Sequence, residues 1–133
     1  MTAPSRQTVL SATILALLIH VSAWLPFFLG VSFLVPMLEK RYAEIPLSVP
    51  AVAREPMILF TWMASCRYAI LVVLLPLLAL DAALCFYLRR TQERQWLSWV
   101  WSLLVVVAAL GASVFLAAVI FLLLLKITEA LAH

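Results

Sequence analysis

Residues Trp96–Leu125, WLSWVWSLLVVVAALGASVFLAAVIFLLLL, run for thirty positions without a charged side chain. As an α-helix such a stretch rises about 45 Å, more than the ~30 Å of hydrocarbon in a bilayer. Two further stretches read the same way: residues 8–37 hold no ionisable group but His20, and residues 67–88 hold no charge but Arg67 and Asp81. With 67% hydrophobic residues and a mean hydropathy of +1.16, a water-soluble fold would expose apolar faces larger than soluble monomers carry. The expected fold is therefore an all-α membrane protein. Its three long transmembrane helices, at about 8–36, 57–90 and 95–126, form an up-down-up bundle in a single domain covering 1–133.

Prolines and glycine set the finer expectations. Pro26 predicts a kink in the first helix, which stays apolar past Gly30 to Pro36. Pro56 fits the first turn of the second helix, where its missing N–H costs nothing, and only Pro76 interrupts the pattern before Arg90. The first dozen residues of that helix should then project beyond the hydrocarbon. Glu39 to Glu55, with Pro46 and Pro50, reads as a short amphipathic helical turn and an irregular connection, together a small extracytoplasmic helical cap.

Nine basic residues against six acidic give a net charge of +3. The basic ones sit at the ends of apolar runs rather than in a patch, so nucleic acid is not an expected partner. Arg89, Arg90 and Arg94 face only Glu93 in the second connection, and Arg6 lies near the start, which places both on the cytoplasmic side. The first connection balances Lys40, Arg41 and Arg54 with Glu39, Glu44 and Glu55. The N-terminus is then cytoplasmic and the C-terminus extracytoplasmic. Trp96, Trp99 and Trp101 beside Arg89, Arg90 and Arg94 read as interface anchors, and Trp24, Trp62 and Tyr68 as the opposite belt. Arg6, the run Val9–Ile19 and the triplet Val21-Ser22-Ala23 imitate a cleavable signal peptide, but the chain stays apolar beyond Ala23, which suits a retained span.

Four groups of residues inside the spans are candidates for chemistry or packing. Asp81 is the one carboxylate deep in a span; counted back from Arg89 it lies ~12 Å inside the boundary, level with Ser11, Thr13 and Ser102. These are its expected partners in an intramembrane polar lock, with at most one of Ser11 and Thr13 on the correct helix face. His20, four residues after Ala16, is a weak candidate axial ligand for a haem or chlorophyll, and otherwise a buried neutral imidazole. Ala109, Ser113 and Ala117 recur at four-residue spacing, the small-residue pattern that lets helix backbones approach in lipid. Cys66 and Cys85 would lie ~28 Å apart on one helix and cannot bridge each other. No second Cys or His completes a zinc site around either one. No metal or cofactor is expected. No GxSxG, HExxH, CxxC or glycine-rich phosphate loop is present, so catalysis is not expected either.

Val35-Pro36-Met37-Leu38-Glu39, then Tyr42, then Ala43-Glu44-Ile45-Pro46-Leu47 resembles the segment after the first span in the type II secretion/type IV pilus inner-membrane platform protein family (F domain). The likeness covers about Phe28–Arg90, with Leu38 where that family carries Phe. It implies a membrane hairpin and a place in a secretion or pilus-like assembly. The expected function is a non-catalytic bacterial inner-membrane subunit or scaffold, with the bilayer, other membrane subunits or further copies of itself as partners. The alternatives are an accessory subunit of a transporter or of a respiratory or photosynthetic complex, using Asp81 or His20, and a holin-like pore former.

Overall fold

The computed structural model describes residues 5–44 and 51–132, and every one of these except Ser5, Cys66, Thr91 and Ala132 lies in a helix. The elements are α1 (Arg6–Leu29), a π-helical turn (Gly30–Leu34), α2 (Val35–Glu44), α3 (Ala51–Ser65), α4 (Arg67–Arg90), a 3-10 turn (Gln92–Arg94) and α5 (Gln95–Leu131). Among the described residues three segments are long and apolar enough to cross a membrane: Arg6–Glu44, Arg67–Arg90 and Gln95–Leu131. The described residues thus form an all-helical fold whose three long apolar segments suit a membrane protein. The core of the expected cap, residues 45–50, lies outside the described residues.

The first helix starts where Ser5 caps it, its hydroxyl oxygen accepting from the Thr8 backbone N–H at 3.3 Å. It does not stop near Pro36. The π-helical turn widens the ladder, the Val35 N–H donating to the Gly30 carbonyl, and the helix resumes to Glu44. A proline ring at position 36 collides with the carbonyl four residues back in a regular helix, and one wide turn just before it relieves that collision.

The second helix also differs from expectation. It begins at Ala51, so Pro56 sits inside α3 rather than in its first turn, and it breaks at Cys66 rather than at Pro76. The ladder still passes the break, since the Cys66 N–H donates to Trp62 O at 3.0 Å and the Ile70 N–H to Cys66 O at 2.9 Å. Beside it the Ser65 hydroxyl donates to Thr61 O at 2.9 Å, a back-bond of the kind that bends helices.

Packing resolves into two units, Met1–Leu25 with Leu71–Leu110, and Pro26–Ile70 with Gly111–His133. In the second unit, α2 and α3 pack on each other and on the π-helical turn. Val31, Val35, Leu38, Ala53, Phe60, Leu116, Val119 and Leu123 form its core. Phe60 meets Phe27 edge-on at 6.2 Å and Phe115 at 6.1 Å, the arrangement aromatic quadrupoles favour. Gly30 allows the closest approach: a Cβ there would lie 2.5 Å from Leu116 Cδ2. Tyr42 seals the end of α2, its hydroxyl donating to the buried Leu123 carbonyl at 2.8 Å.

The buried stripe of α5 runs through Ala109, Leu116, Val119 and Leu123 rather than along Ala109, Ser113 and Ala117. Ala109 is fully buried, Ser113 half-buried and Ala117 exposed. Each four-residue step on a helix overshoots a full turn by ~40°, so a small-residue repeat that starts inward has rotated ~80° two steps later. Gly111 has open space around it.

Candidate functional site

The first unit is organised by one polar stripe on α4: Asp81, Cys85 and Arg89, four residues apart in a helix of otherwise mostly aliphatic side chains. That spacing stacks them on one face. The face is inward, with Cys85 fully buried.

Asp81 is held from two helices. His20 Nδ1 of α1 lies 2.6 Å from Asp81 Oδ2, and Trp101 Nε1–H of α5 donates to Oδ1 at 2.7 Å. The Cys85 thiol donates weakly to the same Oδ1 at 3.8 Å. An indole N–H can only donate, so Asp81 serves as an acceptor. With Nδ1 on Oδ2, the other ring nitrogen, Nε2, points away from Asp81. That nitrogen is buried and has no hydrogen-bond partner among the described residues. His20 itself is 2% exposed.

Arg89 ties the same three helices two turns away. Its Nε donates to Ser98 Oγ of α5 at 2.8 Å, and its Nη1 donates to the Ala12 carbonyl of α1. Ala12 and His20 are eight residues apart on α1, as are Arg89 and Asp81 on α4, so the two contacts share an antiparallel register about 12 Å long.

The residues expected around Asp81 sit elsewhere. Ser11 Oγ donates to Thr8 O at 3.1 Å and Thr13 Oγ1 to Val9 O at 2.8 Å, each spending its hydroxyl on its own helix, as apolar surroundings encourage. Ser102 Oγ is buried without a partner among the described residues. The difference arises from where the depth count began. Arg89 bonds to the Ala12 carbonyl, which puts it level with Ala12 and puts Asp81, two turns earlier, level with His20. The interface anchors divide in the same way: Trp96 and Trp99 are exposed, whereas Trp101 belongs to the Asp81 cluster. Arg94 leaves the lock alone, donating to Tyr87 Oη at 2.6 Å. Arg90 is exposed and lines, with Arg6, Val9 and Phe86, an open cleft of about 440 Å³.

The sequence carries a signal for this cluster. Asp81, Cys85 and Arg89 form a polar i, i+4, i+8 series, and His20 is the one ionisable group inside the first span that can answer it. One imidazole nitrogen, one carboxylate oxygen and the Cys85 sulfur all lie within 4.8 Å of one another. Chemically, the cluster can lock three helices together, hold a proton between imidazole and carboxylate, or present three ligands to a cation. No protein-family model, no curated protein and no solved structure matches this chain.

Proposed function

We propose that this chain is a non-catalytic integral subunit or scaffold of a bacterial inner-membrane assembly. Its spans run up-down-up from a cytoplasmic N-terminus, with a small outer cap between the first two spans. The second span carries the reading: only 6% of its most apolar 18-residue stretch is buried. Val72, Leu75 and Leu80 there are 69%, 70% and 67% exposed, so lipid or other subunits must cover that surface. The polar cluster on the opposite face holds the helix while this side stays available. The excess of Arg89, Arg90 and Arg94 over Glu93 supports the orientation.

A secretion- or pilus-platform-like assembly is the leading candidate, on the likeness of Val35–Leu47. Val35, Leu38 and Tyr42 of that motif are the buried face of α2, which gives the motif a packing role. A photo-crosslinking residue at Val72, Leu80 or Ala117 in cells should yield a discrete protein adduct that co-purifies in mild detergent. Lipid adducts alone at all three positions would overturn the assembly reading. Release of entrapped dye from liposomes would replace it with a pore. For topology, Glu93→Cys should react with an impermeant maleimide only from the cytoplasmic face.

A further inference from the structure

We propose that His20, Asp81 and Cys85 form a binding site for a divalent transition-metal cation of the Zn²⁺ class. The three side chains come from two helices and converge without any sequence motif, and their ligand atoms lie within 4.8 Å of one another. Around a tetrahedral ion with bonds of about 2.0–2.3 Å, neighbouring ligand atoms stand roughly 3.3–3.8 Å apart. The Cys85 Sγ to Asp81 Oδ1 distance of 3.8 Å is already of that size. The His20 Nδ1 to Asp81 Oδ2 distance of 2.6 Å opens by less than an ångström to match.

Nδ1, the ring nitrogen beside Asp81 Oδ2, is the one placed to share an ion with the carboxylate, and the ring proton then sits on Nε2. Trp101 Nε1–H, donating to Asp81 Oδ1 at 2.7 Å, fixes the carboxylate in turn. The donor set chooses the ion: a thiolate with an imidazole favours Zn²⁺ and its neighbours over Mg²⁺ or Ca²⁺, which prefer oxygen alone.

Charge favours the same assignment. A divalent ion with one thiolate, one carboxylate and one neutral imidazole sums to zero, the state that hydrocarbon tolerates best. On binding, the ion replaces the proton on Cys85 Sγ, which leaves to solvent. The imidazole keeps a single proton, on whichever nitrogen does not hold the metal. Three protein ligands leave a fourth position open.

The test uses the full chain, without a polyhistidine tag, stripped with chelator in mild detergent and titrated with Co²⁺. One Co²⁺ per chain should bind, with a thiolate-to-cobalt charge-transfer band that Zn²⁺ abolishes. Cys66→Ser should keep the band and Cys85→Ser should lose it, both with wild-type helical circular dichroism. His20→Ala and Asp81→Asn should each weaken cobalt at least ~10-fold. Absence of the band in the wild type, its survival in Cys85→Ser, or its loss in Cys66→Ser would overturn the site. Failure of the crosslinks described above would leave these results untouched, so the two readings fall separately.

Discussion

Replacing Asp81 by Leu removes the common acceptor of His20 Nδ1 and Trp101 Nε1, bonds of 2.6 and 2.7 Å, together with the weak thiol contact. Side-chain hydrogen bonds between membrane helices contribute about 0.6 kcal/mol on average and up to about 1.7 kcal/mol each. Two of them set the loss at about 1–3 kcal/mol, a roughly 5- to 150-fold change in the folding equilibrium. Asp81→Asn keeps an oxygen for Trp101 but turns an N–H₂ group toward His20, forcing the imidazole proton onto the unpartnered Nε2. It should cost about 1 kcal/mol, less than Leu does. The decisive measurement is a double-mutant cycle of Asp81→Leu with His20→Leu, each variant unfolded by SDS in mixed micelles and followed by circular dichroism. A coupling near 1 kcal/mol or above is expected, because the second substitution removes a partner already orphaned. Additivity within ~0.3–0.5 kcal/mol would show that the two side chains do not depend on each other, and the lock would fall with it.

Tyr42→Phe should destabilise by about 1 kcal/mol in the same assay, since the hydroxyl on the Leu123 carbonyl is all that is lost; an unchanged midpoint would deny that bond any role. Gly30→Ala should cost about 1 kcal/mol through its contact with Leu116, and the penalty should vanish in a Leu116→Ala background. Gly111→Ala, with open space around it, should instead be neutral or stabilising by up to about 1 kcal/mol from helix propensity. Arg89→Ala should cost about 2 kcal/mol for its bonds to Ser98 and Ala12, whereas Arg90→Ala should stay within ~0.5 kcal/mol. Equal effects at the two arginines would mean that the inward turn of Arg89 contributes nothing.

The three apolar runs fixed the class of fold by themselves, because a helix is the only conformation in which one stretch of chain satisfies all its own backbone groups in lipid. Length and hydropathy were enough for that, with no knowledge of neighbours. Local backbone chemistry was only partly legible. Pro26, Pro36, Pro56 and Pro76 all mark places where a hydrogen bond is missing. Yet the ladder widens before Pro36, and the second helix is interrupted at Cys66, away from any proline, where the backbone bonds still run on.

The polar cluster belonged almost wholly to tertiary structure. Asp81 announced itself as an expensive residue, but its partners depend on the rotation and depth of three helices. A helix can turn or slide by a residue at little cost in hydropathy while exchanging every contact on its face. Arg89 shows the point: as a charge at the end of a span it reads as a headgroup anchor, and bonded to Ser98 and the Ala12 carbonyl it shares the register that brings His20 level with Asp81. Composition dictated the medium; the placement of a few polar atoms in that medium, where each must find a partner or go without, determined the rest.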